Sequence, residues 1–203
     1  MSPIISIVDD DRIARESLKW LSESAHLSVC EYACGQDFLD QFDDSTPGCV
    51  VLDVRMPDIN GMELYARLKQ TGATTPVIIV TGHADVAMAV RAMKAGAYDF
   101  VEKPYNDALM LELLQNAIAY DRDKREDQVL VDDIRFRIDC LTPREHEVMQ
   151  LVLRSRQNKV IASELGISIK TVELHRANLM GKMNAGSPTE LVRLAMIAGM
   201  DQI

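Results

Sequence analysis

"IISIVDDD", residues 4–11, sets a strand-like run rich in Ile and Val against three successive carboxylates, Asp9, Asp10 and Asp11. Such acids at the end of a buried strand are costly unless a cation or shared protons offset them. Four further short runs follow: "LSVCEY" (27–32), "CVVLD" (49–53), "PVIIVT" (76–81) and "YDFVE" (98–102). The first, third and fourth of the five are nearly continuous in apolar residues, as expected of strands buried on both faces of a parallel sheet. Helical periodicity fills the intervals at 12–24, 37–42, 62–69 and 85–95, and a fifth helical stretch covers 107–120. Five β/α units in about 120 residues predict an α/β fold, an open doubly wound parallel sheet of five strands.

A chain of 203 residues has room for two domains. With 47% hydrophobic and 26% charged residues it has the composition of a soluble globular protein. No apolar run approaches the roughly 20 residues of a membrane span. The N-terminus has no basic stretch followed by a cleavage site, so a cytoplasmic location without membrane contact is expected. Cys30, Cys34, Cys49 and Cys140 follow no metal or redox spacing and are read as idle thiols. The formal charge of −9 is unevenly spread. Residues 1–137 hold 24 acids and 14 bases, and residues 138–203 hold 7 and 8, so the total does not exclude DNA binding by the second part.

In an open α/β sheet, ligands bind beyond the carboxyl ends of the strands where the strand order reverses. For the order 2-1-3-4-5 that point lies between the first and third strands, bringing Asp9 and Asp10 to Asp53. Clustered carboxylates at an open crevice suit Mg²⁺, which takes hard oxygen ligands and keeps several waters. Thr81 ends the fourth strand, and Lys103 follows the fifth in "VEKPY", where Pro104 shapes the turn. A carboxylate beside a divalent cation, an ammonium and a hydroxyl is equipped to accept a phosphoryl group. Asp53, flanked by Leu52 and Val54, is the nucleophile candidate.

The segment "DRDKREDQVLVDDIRFR" (121–137) carries both charge signs and no Gly or Pro, and is expected to continue as a solvated helical linker. Beyond it strand signals vanish. "LTPRE" supplies Thr142 as N-cap, Pro143 and Glu145, a capping box, and "SPTE" repeats the device with Ser187, Pro188 and Glu190. With helices at 159–165 and from Ser168 to about Met183, the last 66 residues form an all-α, four-helix unit containing a helix-turn-helix. Val172, His175, Leu179 and Met183 form the inner face of its second helix. Lys170, Glu173, Leu174, Ala177 and Gly181 form the outer face, smooth enough for a major groove. Asn158 and Thr171 complete the expected DNA-facing set, with Lys159, Lys170, Arg176 and Lys182 as phosphate contacts.

"VDDD", "LDVRMPDINGMEL", "VTGHAD" and "DFVEKP" resemble the receiver domain of two-component response regulators, a flavodoxin-like fold, over about 115 residues. "LTPREHEV" and "NKVIASELGIS" resemble the LuxR-type output domain of the FixJ-like subgroup. The resemblance implies a receiver at 4–120, a linker at 121–137 and a DNA-binding domain at 138–203. It implies Asp53 as the phosphorylated residue, with Asp10, Asp53 and the backbone carbonyl of Arg55 as Mg²⁺ ligands and Asp9 beside them. Thr81 and Phe100 match the switch pair, and Lys103 the phosphoryl-binding lysine. Phe100 stands where some relatives have tyrosine, Glu173 where some have lysine, and the usual glycine before "NK" is replaced within "RSRQNK". Glu173 then either accepts from a cytosine amino group or pairs with Arg176. The terminal helix, with Leu191, Leu194, Ala195 and Ala198 in one stripe, matches the helix that pairs two output domains on DNA. The implied partners are a sensor histidine kinase, operator DNA, a second copy after phosphorylation, and RNA polymerase. The implied function is a phosphorylation-activated transcriptional regulator, more often an activator, and not an enzyme. The competing function is a phosphatase or phosphotransferase using an aspartyl-phosphate intermediate, against which stands the lack of a second acid placed as general acid. A ligand-sensing LuxR-type regulator would need an apolar pocket in place of this acidic crevice.

Overall fold

The computed structural model describes residues 2–83 and 85–200. The chain divides into two compact units, the first ending at Arg125 and the second beginning at Glu126. The first unit alternates strand and helix: β1 (Ile4–Val8), α1 (Arg12–Ser24), β2 (Ser28–Tyr32), α2 (Gly35–Gln41), β3 (Gly48–Asp53), α3 (Gly61–Gln70), β4 (Val77–Thr81), α4 (Val86–Lys94) and β5 (Asp99–Glu102). All neighbouring strands pair in parallel, in the order β2-β1-β3-β4-β5. β3 and β4 are buried at every residue, the pattern their unbroken apolar runs predict. Alternate residues of each central strand face opposite layers. Val8, Val50, Leu52 and Ile79 pack with Phe38, Leu64 and Tyr65 on one side. Ile5, Ile7, Val51 and Ile78 pack with Leu18, Met110 and Leu114 on the other. Of the four cysteines only Cys49 is buried, and burial pushes its thiol up to about 12.

Local chemistry starts the helices where the sequence marks them. Asp11, Asn60 and Asp85 each accept a backbone N–H from the first turn of α1, α3 and α4. α2 starts two residues earlier than expected because the Cys34 thiol accepts the Asp37 N–H at 3.4 Å and serves as its cap.

α5 runs from Asp107 to Asp139 without a break, so the 121–137 segment is helical. It is not uniformly solvated, because Asp121 is buried in the first unit and Ile134 in the core of the second. The Asp121 carboxylate accepts the Gly48 N–H at 2.8 Å and the Arg125 Nε–H at 2.7 Å. Arg125 in turn donates to the carbonyls of Asp44 and Thr46, at 2.7 and 3.2 Å. The beginning of this segment is thereby clasped to the end of the sheet opposite Asp53.

The second unit holds α6 (Pro143–Leu153), α7 (Asn158–Leu165), α8 (Ile169–Met183) and α9 (Pro188–Ile197). Residues 201–203, included in the expected output domain, lie outside the described residues. The capping box of α6 is complete: Thr142 Oγ1 accepts the Glu145 N–H and the Glu145 carboxylate accepts the Thr142 N–H. At α9 only half of the device forms, because Glu190 accepts the N–H of Gly186 instead of that of Ser187. Gly166 turns the chain between α7 and α8 with a positive φ of 66°. Within "RSRQNK", Ser155 adopts φ 58° and its N–H closes α6 on Val152, so a left-handed turn forms there without glycine.

Glu145 lies almost fully buried, with its carboxylate 2.7 Å from Lys182 Nζ. That hydrogen bond, then the Thr142 N–H, holds its pKa below the usual glutamate value. Its contribution to stability is therefore full above the unfolded pKa and lost as pH falls through the lower folded value. Glu145→Gln is expected to flatten the acid limb of the second unit's melting temperature, measured by circular dichroism from pH 7 down to about 3. At pH 7 the same variant should lose about 1–2 kcal/mol, the cost of a damaged cap and charged hydrogen bond.

Candidate functional site

The register of the sheet brings the acids together. β1 and β3 are neighbours, so Asp9 and Asp10, just after β1, meet Asp53, the last residue of β3. Carboxylate oxygens of Asp9, Asp10 and Asp53 all lie within 4.8 Å of one another. Asp9 and Asp53 are buried and Asp10 is exposed. Lys103, which follows β5 and precedes a cis bond to Pro104, spans two of them: its Nζ stands 2.5 Å from Asp9 Oδ2 and 2.7 Å from Asp53 Oδ1. An ammonium thus offsets the strand-end carboxylates in this structure. The remaining oxygens of the pair accept backbone N–H groups, Asp11 onto Asp9 at 2.9 Å and Arg55 onto Asp53 at 2.6 Å. Arg15 holds the Asp9 carbonyl at 2.6 Å.

The electrostatics match this geometry. Burial raises the Asp9 pKa above the ordinary carboxylate value, against the lowering exerted by Lys103. Burial would lower Lys103, yet its hydrogen bonds to Asp53 and Asp9 outweigh that and hold the ammonium above the ordinary lysine value. Three oxygen-bearing acids, two of them buried at one rim, form a hard donor set of the kind that suits a divalent cation with several retained waters. The Arg55 carbonyl belongs to the loop that leaves Asp53.

Thr81 is fully buried at the end of β4, and its Oγ1 accepts the N–H of His83 at 3.3 Å. Phe100 on β5 is partly buried against the core on the α3–α4 side of the sheet. His83 is exposed.

In the second unit, Val172, Leu179 and Met183 of α8 enter the core, and His175 is half-buried on the same side. Lys170, Glu173, Leu174 and Ala177 are exposed, with Leu174 60% exposed. Lys159 is exposed on α7, Asn158 and Arg176 are half-buried, and among the described residues neither Glu173 nor Arg176 has an ion-pair partner. The alternative of a Glu173–Arg176 pair is therefore not realised. Thr171 Oγ1 is engaged 2.8 Å from Ser168 Oγ at the start of α8.

Two expected site features have partners inside their own unit. Lys182, expected on a phosphate, is exposed and its Nζ also binds the buried Glu145 and the Cys140 carbonyl. The stripe Leu191, Leu194, Ala195 and Ala198, expected as a dimer contact, is buried within its own unit and closes that unit's core. A short terminal helix over a small helical core has no other apolar face to offer it. The exposed side of α9 carries Met196 and Arg193. Sequence reasoning also missed the Asp121–Arg125 clasp and Arg144, which donates to the Leu165 carbonyl at 3.2 Å and braces α7.

A five-stranded parallel sheet with this acid and lysine constellation, followed by a helix-turn-helix unit, defines a phosphoacceptor module joined to a DNA reader. Residues 5–115 match the model of the response regulator receiver domain, and residues 139–195 that of bacterial regulatory proteins of the luxR family. The chain belongs to the response regulators, with a receiver and a LuxR-type DNA-binding domain of the FixJ-like kind. It is 44% identical to the transcriptional regulatory protein FixJ of Bradyrhizobium diazoefficiens over 97% of this chain and 96% of that one. Against the response regulator protein TodT of Pseudomonas putida the identity is 39%, over 94% and 84%. Among solved structures, the response regulator StyR superposes with a TM-score of 0.88 at 38% identity, covering 97% of this chain and 99% of that one. Full-length FixJ from B. japonicum gives 0.59 at 43% identity, covering 98% and 99%. These relatives are regulators, which disfavours the phosphatase reading. No described helix is long and apolar enough to cross a membrane.

Proposed function

We propose that Asp53 accepts a phosphoryl group from a partner histidine kinase and that this modification turns DNA binding by the second unit on. The observation that carries the reading is the convergence of Asp9, Asp10, Asp53 and Lys103 at one rim. The Asp53 carboxylate attacks phosphorus in line, the bond from phosphorus to the donor nitrogen breaks, and the donor imidazole leaves with the electron pair. Asp9, Asp10, Asp53 and the Arg55 carbonyl would hold Mg²⁺. When bound, it would neutralise charge developing on the phosphoryl oxygens. Lys103, already against Asp53, supplies a second positive charge there.

Once Asp53 is modified, the Thr81 hydroxyl, which donates to the His83 carbonyl at 3.5 Å, donates to a phosphoryl oxygen instead, and Phe100 follows it inward. The face built from α4, β5 and the first turns of α5 changes, and two receivers pair through it. Output domains spanning 138–203 then occupy adjacent half-sites in the cytoplasm, and RNA polymerase is recruited as for an activator. Residues 4–120 act as the receiver and 121–137 as the linker.

Exposure supports a DNA-facing set of Lys159, Lys170, Glu173, Leu174 and Ala177, with Asn158, Thr171 and Arg176 at its edge. Lys170→Ala is expected to weaken binding to all duplexes about equally and to lower the salt slope by about one unit. A Glu173 variant should instead change which fragments are retained from a random pool. Identical retained sequences for both variants and the wild type would contradict this division of roles.

A further inference from the structure

Eight of the ten glycines have a reason inside the fold: a positive φ, or atoms within 3.4 Å of where a Cβ would stand. Gly82 and Gly181 have neither, and a Cβ on either meets nothing within 4 Å. Gly82 follows Thr81, at the rim where Asp53 would receive its phosphoryl group. Gly181 lies inside α8, where glycine is the least favourable residue short of proline. No turn, cap or close internal neighbour explains it.

Its place on the helix does. Lys170, Leu174, Ala177 and Gly181 are spaced i, i+4, i+7 and i+11, so they share one line along α8, and all four are exposed. Their side chains shorten towards the C-terminal end, from lysine to none. Lys182, the next residue, is drawn inward to Glu145 and the Cys140 carbonyl and does not cover the gap. A helix with its side chains is about 10–12 Å across and the major groove about 12 Å wide, so bulk on the outward line governs how deeply the helix sits.

We infer that Gly181 is a positioning residue for the duplex: by carrying no side chain, it lets the C-terminal half of α8 lie against the wall of the major groove. The inference rests on the reading of α8 as the DNA-facing helix. A glycine with a purely structural role would make stability and DNA affinity change together on substitution. Here they change in opposite directions, because alanine improves the helix while its methyl group pushes the duplex away.

The test compares full-length wild type, G181A and G181L, each treated with acetyl phosphate and Mg²⁺, by thermal melting and by fluorescence anisotropy on a labelled duplex pool of random sequence at low salt. G181A is expected to melt a few degrees higher and bind several-fold more weakly, and G181L to bind more weakly by roughly tenfold or more with its helical signal intact. Binding by G181L within about twofold of wild type overturns the inference, as does a G181A that melts higher and binds as tightly as wild type. Should wild type itself bind no duplex, the DNA-facing reading of α8 fails and the inference falls with it, which separates the two failures.

Discussion

With acetyl phosphate and Mg²⁺, the wild-type chain is expected to move from monomer towards dimer in sedimentation and to bind DNA more tightly, and Asp53→Ala is expected to do neither. Alanine deletes the nucleophile together with the hydrogen bonds it accepts from Lys103 and the Arg55 N–H. Lys103 keeps Asp9 as partner at 2.5 Å, and the loss of one carboxylate relieves the repulsion among the three acids. The variant should therefore melt no lower than wild type, so that failure to respond cannot be ascribed to unfolding. The effect is large because a switch that inverts a 1:99 population needs about 5.5 kcal/mol of differential stabilisation, all of which enters through the modified residue. An Asp53→Ala chain that still dimerises on adding the phosphodonor would place the acceptor elsewhere.

The second large effect is on stability. Asp121→Ala is expected to cost the first unit about 3–5 kcal/mol, the range for removing one partner of a buried ion pair. The carboxylate is 2% exposed and satisfies two donors, the buried Gly48 N–H and Arg125 Nε. Arg125→Ala should cost less, since Asp121 then retains the Gly48 N–H. Set against a typical domain stability of about 5–15 kcal/mol, the Asp121 variant loses a large fraction of its margin. Urea unfolding of the two variants checks the order. Equal midpoints for Asp121→Ala and wild type would show that the clasp carries no load.

Most of the first unit could be read in advance because its signals are local. Apolar runs in β1, β3 and β4 mark strands buried on both faces, and each central strand ends in a residue whose chemistry is out of place in a core. Parallel pairing then fixes which ends meet, so the crevice of Asp9, Asp10, Asp53 and Lys103 follows from topology. The compensating charge was legible only in part, since nothing in "VEKP" says that Lys103 reaches both Asp9 and Asp53. Asp121 and Arg125 lie within a run of alternating charges whose other members are mostly exposed, and only the fold tells a clasp from a solvated face. The contacts of Lys182 and of the α9 stripe inside their unit were not legible for a related reason. A lysine on a recognition helix and a leucine stripe on a terminal helix each suit two destinations, and burial of Glu145 and closure of a small core decide between them.

Switching depends on Asp53 becoming an acyl phosphate with the help of a divalent cation among its neighbouring acids. Peptide-level mass spectrometry after reaction with acetyl phosphate, with Mg²⁺ or with a chelator, tests that most directly. A phosphoryl mass gain confined to the peptide containing Asp53 and lost in the chelator is the predicted result. No gain, a gain on another peptide, or an equal gain without metal would contradict it.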